Sequence, residues 1–164
     1  MERFFKSLTF RLLFAKNSAN MSYVKIWIHC VWTTNKRLPY LKDEIRNEII
    51  YHILENAREK SIFIDHINGH QEHLHALISL GSTQTISDIM RYIKGESSFW
   101  INKHKLTKLK FEWQDDYYAV SLGMPQLENL RSYIRNQDQH HQKYKFEDEL
   151  NSLIEEYQLQ KILD

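Results

Sequence analysis

The segment from Tyr23 to Thr34, Tyr-Val-Lys-Ile-Trp-Ile-His-Cys-Val-Trp-Thr-Thr, sets the tightest limit on the fold. Val24, Ile26, Ile28, Cys30 and Trp32 share one parity, and Tyr23, Lys25, Trp27, His29 and Val31 share the other. β-Branched and aromatic residues at both parities predict a strand largely covered on both faces. The chain is therefore committed to a sheet with packed layers. With 4 Gly and 2 Pro in 164 residues, little interrupts the pattern and long regular elements follow.

From Lys42 to Lys60, Ile45, Ile49, Ile53, Leu54 and Ala57 recur at helical spacing. Ile62 to Ile67 and Leu74 to Leu80 read as strands joined by Asn68-Gly69-His70-Gln71-Glu72, where Asn-Gly predicts a hairpin turn. Ser82-Thr83-Gln84-Thr85 opens a helix running to about residue 104, with Ile86, Ile89, Met90, Ile93 and Trp100 on one face. A basic loop and a short strand from Tyr117 to Leu122 follow. Pro125 then fits a first helical turn, and Leu127, Leu130 and Ile134 form the stripe of the next helix. A last amphipathic helix covers about 146–158. The order β-α-β-β-α-β-α predicts an α+β, ferredoxin-like sandwich: an antiparallel sheet with helices on one face, plus C-terminal helices.

A hydrophobic share of 42% and a charged share of 26% fit one globular domain, expected over residues 21–164. Residues 1–20 read as an N-terminal extension, disordered or produced by a misplaced start ahead of Met21. Arg11 splits their apolar run, which argues against a secretory signal, and nothing is long enough to span a membrane. The single cysteine, Cys30, excludes an intramolecular disulfide and a cysteine-based zinc site, and fits a cytoplasmic protein.

The net charge of +1 conceals an uneven distribution. Residues 147–164 carry six acids against Lys161, leaving 21 bases and 15 acids before them. Arg91, Lys94, Lys103, Lys105, Lys108 and Lys110 stand against Glu96 alone in 91–110. A basic face is compatible with nucleic-acid phosphates, and lysines solvated on a helix would look the same. Trp100 and Trp113 would be base-stacking partners or core residues.

His73-Leu74-His75 opens a strand, so both imidazoles project to one face while Leu74 turns to the other. Such a pair makes half of a metal site, expected to face solvent. By itself it is weak, since the chain has nine histidines. Tyr133 and Gln137 are four apart and share a helix face beside Leu130 and Ile134. Tyr133 is either a core-edge tyrosine or a functional one. Gln137 stands where the stripe wants an apolar residue, and a buried amide needs partners, of which a metal is one.

Taken together these segments resemble the single-tyrosine transposases of the His-hydrophobic-His kind, including relatives associated with repetitive extragenic palindromes. The resemblance rests on Ile28-His29-Cys30-Val31-Trp32-Thr33-Thr34-Asn35-Lys36-Arg37, Ile67-Asn68-Gly69 before His73-Leu74-His75, Trp113-Gln114, Tyr133-Ile134-Arg135-Asn136-Gln137 and His140-His141-Gln142-Lys143. It covers about residues 21–150. It implies a single-strand DNA nuclease and strand-transferase in which His73, His75 and Gln137, three neutral ligands, hold Mg²⁺ or Mn²⁺. Tyr133 would attack a phosphate to leave a 5′-phosphotyrosine. Lys36, Arg37, Arg91, Lys94, Lys103 and Lys105 would bind the strand. The partner implied is single-stranded DNA with a stem-loop, and the assembly a homodimer, with exchange of the tyrosine helix between subunits as one arrangement.

The chain has Asp116-Tyr117-Tyr118 where the family often has Gly-Tyr-Gly. Neither tyrosine has a glutamine four residues on, so both rank below Tyr133 as nucleophile. Two other functions stay open on sequence: a non-mobile relative that processes chromosomal palindromes, and a regulator that binds nucleic acid without cutting it. A small-phosphoester hydrolase is disfavoured because no acidic ligand or phosphate-binding glycine loop accompanies the histidines. His29, His140 and His141 are assigned no catalytic role.

Overall fold

A computed structural model describes residues 23–160, so the expected extension over 1–20 lies outside it. The elements are β1 (Ile26–Thr33), α1 (Asp43–Glu59), β2 (Phe63–Gly69), β3 (His73–Leu80), α2 (Ile86–Lys103) and β4 (Tyr118–Leu122). Then come α3 (Leu127–Arg135), α4 (Gln137–His141) and α5 (Phe146–Tyr157). The four strands form one antiparallel sheet in the order β2-β3-β1-β4, the ferredoxin-like arrangement. No helix among the described residues is long and apolar enough to cross a membrane.

β1 lies between β3 and β4 and is buried on both faces, as its composition requires. Ile28, Cys30 and Trp32 join Leu74, Ala76 and Ile78 of β3 in the main core. Over them pack Ile49, Ile53 and Ala57 of α1 and Ile89, Met90, Ile93 and Ile101 of α2. The opposite face presents Trp27, His29, Val31 and Thr33 beside His73, His75 and Leu77. α3 covers one end of it through Leu127, Leu130 and Ile134, and α5 the other through Phe146 and Leu150. The C-terminal helices thus form a third layer, and the polar side chains of the sheet lie beneath it.

Local chemistry explains several boundaries. Thr85 accepts a hydrogen bond from the Asp88 N–H, capping α2 and contributing about 1 kcal/mol. Ser97 sits on the buried stripe of α2 because its hydroxyl donates to the Ile93 carbonyl and accepts from Trp113 Nε1 at 2.9 Å. Trp113 is core, 6% exposed, and Trp100 stacks on His52 at 4.1 Å. Of the two readings open for these tryptophans, packing within the fold is the one observed.

Two further expectations change. Asn68 and Gly69 belong to β2, paired with His75 and Leu74, and the turn lies beyond them. Gly69 is required by close approach: a Cβ there would sit 2.0 Å from the His73 carbonyl oxygen. The helix after Pro125 is also interrupted, because Asn136 (φ −99°, ψ 22°) separates α3 from α4. Tyr133 and Gln137 therefore sit on different short helices.

Candidate metal centre and tyrosine

Strand alternation places His73 and His75 on the face opposite Leu74, and both are 0% exposed. The expectation of a solvent-facing pair is corrected: the last helix folds over them. Phe146 stacks on His73 at 4.2 Å, and Glu149 reaches the centre from the next turn. A carboxylate able to serve as a ligand is thus present, supplied from a distant segment.

The donor atoms converge closely. Glu149 Oε1 is 3.1 Å from His75 Nε2, and Glu149 Oε2 is 3.7 Å from His73 Nε2. Gln137, fully buried, places Oε1 at 3.3 Å from His73 Nε2 and donates through Nε2 to Glu149 Oε1 at 3.4 Å. His141 Nε2 lies 3.1 Å from both Gln137 Oε1 and Glu149 Oε2. The Tyr133 hydroxyl donates to Glu149 Oε1, and its ring meets His75 edge-on at 5.6 Å. Tyr133, His73, His75 and Gln137 therefore come together, whereas sequence reasoning missed Glu149 and His141.

Electrostatics follow from burial. Burial lowers the basicity of His75 well below that of a free imidazole, and the neighbouring His73, His141 and His140 add to this. Burial and then His73 bring His141 down to about 4. The Glu149 carboxyl is pushed up to about 7, chiefly by burial. Around neutrality the centre thus holds neutral His75 and His141 rings and a carboxylate that is easily protonated. His75 Nε2 and Glu149 Oε2 are buried without a hydrogen bond. Orphaned buried polar atoms of this kind are costly, and a cation bound to their lone pairs satisfies them. His73, His75 and Glu149 bring one ligand atom each within 4.8 Å of one another, so these residues fit a divalent ion.

Neighbouring elements hold the ligands. Arg46 of α1, 3% exposed, donates to Asp138 at 2.7 Å and fixes the start of α4. Arg131 pairs with Asp65 at 2.8 Å, and Asn68 donates to the Arg135 carbonyl, tying α3 to β2. A cavity of about 520 Å³ opens beside Tyr133, His29, His140 and Glu149. A second, about 350 Å³, lies beyond Leu150 with Lys36 and Arg37 in its wall.

The six expected phosphate-binding cations are not gathered in one place. Lys36 and Arg37, both with positive φ, follow β1 directly, and Arg37 is paired with Glu147 at 2.8 Å. Arg91, Lys94, Lys103 and Lys105 lie on or just after α2, which covers the other face of the sheet. Arg91 pairs with Asp88, and Lys94 donates to the Asp115 carbonyl. Gln114 lines both the Lys36–Arg37 cavity and the one beside Lys94, so Lys94 alone of the four adjoins the Lys36–Arg37 pair.

The chain is similar to known proteins over most of its described length. The family described as IS200-like transposases matches residues 22–137. A solved structure described as a candidate transposase from Deinococcus radiodurans is similar at 20% identity and a TM-score of 0.59, covering 74% of this chain and 97% of that one. A REP-associated tyrosine transposase bound to a REP hairpin is similar at 18% identity and a TM-score of 0.55, covering 76% of this chain and 74% of that one. Among curated proteins, none matches the chain.

Proposed function

Since this chain belongs to the IS200-like transposases, we propose that it cuts and rejoins single-stranded DNA at hairpin-bearing ends, in the cytoplasm, through a covalent link to Tyr133. The observation that carries this reading is the convergence of Tyr133, Gln137 and the His73/His75 pair, from three separate elements, on one buried cluster. Packing alone does not call for so many polar atoms in one interior.

A free tyrosine, with a pKa near 10, is about one part in a thousand ionised at pH 7 and needs help to become a nucleophile. Glu149 accepts the Tyr133 hydrogen bond and is placed to receive the proton. The phenolate oxygen then forms a bond to phosphorus while the bond to the 3′ oxygen breaks. The proton taken up by Glu149 passes to the leaving 3′ oxygen, so a 5′-phosphotyrosine and a 3′-hydroxyl result; attack by another 3′-hydroxyl, its proton returning to the tyrosine oxygen, reverses the step and joins new ends. A divalent ion, Mg²⁺ or Mn²⁺ by the resemblance, held by His73, His75, Gln137 and Glu149, would favour the phenolate and offset charge on a phosphate oxygen.

Lys36 and Arg37, in the wall of the cavity beyond Leu150, would hold phosphates of the strand. Arg91, Lys94, Lys103 and Lys105 would contact a strand or hairpin arm continuing past Gln114 to the other face. The DNA with a hairpin carried by the REP-associated structure supports the choice of partner. A homodimer is part of the proposal, because transfer handles two ends.

Incubation with stem-loop single-stranded DNA and Mn²⁺ or Mg²⁺, followed by denaturing electrophoresis, tests the reading. A protein–DNA adduct is expected, lost in Tyr133→Phe with hairpin binding retained. Hairpin binding with no adduct in the wild type would instead favour a non-cutting regulator.

A further inference from the structure

We propose that His141 is an inner ligand of the same centre, making it a nitrogen-rich site of three imidazoles, one carboxylate and one amide oxygen. The proposal rests on the metal-dependent reading above and extends it, because His73, His75 and Gln137 alone give two nitrogens and one oxygen.

The orientation of the His141 ring carries the argument. Its Nδ1 lies 3.1 Å from the Tyr144 carbonyl, which can only accept, so Nδ1 bears the proton and Nε2 is bare. That bare nitrogen is 3.1 Å from His73 Nε2. It is also 3.1 Å from Gln137 Oε1 and 3.1 Å from Glu149 Oε2. His73 is held the same way: Nδ1 donates to Glu72 Oε1 at 3.3 Å, and Nε2 faces the cluster. His75 Nδ1 has its own partner, His29 Nε2, at 3.0 Å. Each of the three rings is thus oriented through Nδ1 by a partner outside the cluster, while Nε2 points inward. This is the outer-shell arrangement typical of metal-bound histidine.

With the Glu149 carboxyl ionised, Glu149 Oε2, His141 Nε2 and the amide oxygen of Gln137 are lone-pair atoms, and His73 Nε2 stands beside them. Acceptors this close repel unless a proton or a metal cation lies among them. Ligands bound at about 2.1 Å around one ion stand about 3 Å apart, which agrees with the separations just given. His141 is 2% exposed at its side chain and packs against His70 at 4.7 Å, so little freedom remains to turn the ring away. Three imidazoles also favour a first-row transition ion over Mg²⁺, whose preference is for oxygen and water.

Calorimetric titration of the metal-free full chain with Co²⁺, Mn²⁺ and Mg²⁺, together with visible absorption of the Co²⁺ form, tests this. The wild type should bind Co²⁺ and Mn²⁺ more tightly than Mg²⁺. His141→Gln should weaken Co²⁺ by more than about 100-fold, beyond what loss of an outer partner costs. His70→Ala, which removes the ring stacked on His141 and an ion pair to Glu72 at 3.7 Å, should cost no more than the roughly 10–100-fold of an outer partner. His141→Cys should add an intense near-ultraviolet sulfur-to-cobalt band, because a thiolate gives that band only when bound; Cys30 lies across the sheet in the main core. If the wild type binds none of the three ions, the metal-dependent reading itself is lost. If the wild type binds but His141→Cys shows no such band, or His141→Gln binds as the wild type does, His141 is not a ligand and the wider reading stands.

Discussion

Gly69→Ala is a perturbation whose size can be worked from the structure. The added Cβ would lie 2.0 Å from the His73 carbonyl oxygen and 2.8 Å from Leu74 Cα. Both are backbone atoms of the paired strand, so no side chain can turn aside and β2 must part from β3 where His73 begins the strand. Overpacking that side chains can absorb costs about 1–3 kcal/mol, and this case belongs at the top of that range. For a chain of this size, about 3 kcal/mol lowers the melting temperature by roughly 6–12 °C. Gly95→Ala is the matched control: it sits within α2 with nothing inside 4 Å of a new Cβ. It should stabilise by about 1 kcal/mol, from helix propensity alone. Thermal melts followed by circular dichroism in one buffer compare the two. A Gly69→Ala protein melting within about 2 °C of the wild type would refute the close-approach argument.

Burial raises the Glu149 carboxyl to about 7, so the folded chain holds that proton more tightly than the unfolded one and metal-free stability falls as pH rises from 4.5 to 7. Glu149→Gln should therefore raise the melting temperature in chelator at pH 8, change it little at pH 4, and weaken metal binding; a variant less stable than wild type at pH 8 contradicts this. The structure builds tyrosine and histidines from one chain, so co-expressed His75→Ala and Tyr133→Phe subunits should give no cleavage, with mixed dimers verified by two affinity tags. Cleavage at about a quarter of the sites would instead show exchanged tyrosine helices.

What was legible in the sequence was whatever a local period encodes. β1 announces itself by apolar residues at both parities, and strand alternation alone puts His73 and His75 on one face. Gln137 is visible as an amide on an apolar stripe, and it is fully buried. Glu149 is harder to see because Phe146-Glu147-Asp148-Glu149-Leu150 reads as a solvated acidic run. A signal existed: Glu149 shares the buried stripe of Phe146, Leu150 and Leu153, where a carboxylate requires a partner. The break at Asn136 has no Gly or Pro to mark it. Tertiary anchors decide it, with Asn68 holding the Arg135 carbonyl on one side and Arg46 holding Asp138 on the other. Asn68-Gly69 misleads for a related reason, since a glycine needed for close strand approach looks the same as one needed for a turn.

The central claim is that Tyr133 forms the covalent bond. Trapping the protein on stem-loop single-stranded DNA with Mn²⁺, digesting with nuclease and protease, and mapping the nucleotide-bearing peptide by mass spectrometry tests it most directly. The account predicts one modified peptide, with the added mass on Tyr133. The same mass on Tyr117 or Tyr118, or no modified peptide from a protein that cuts the strand, would contradict it.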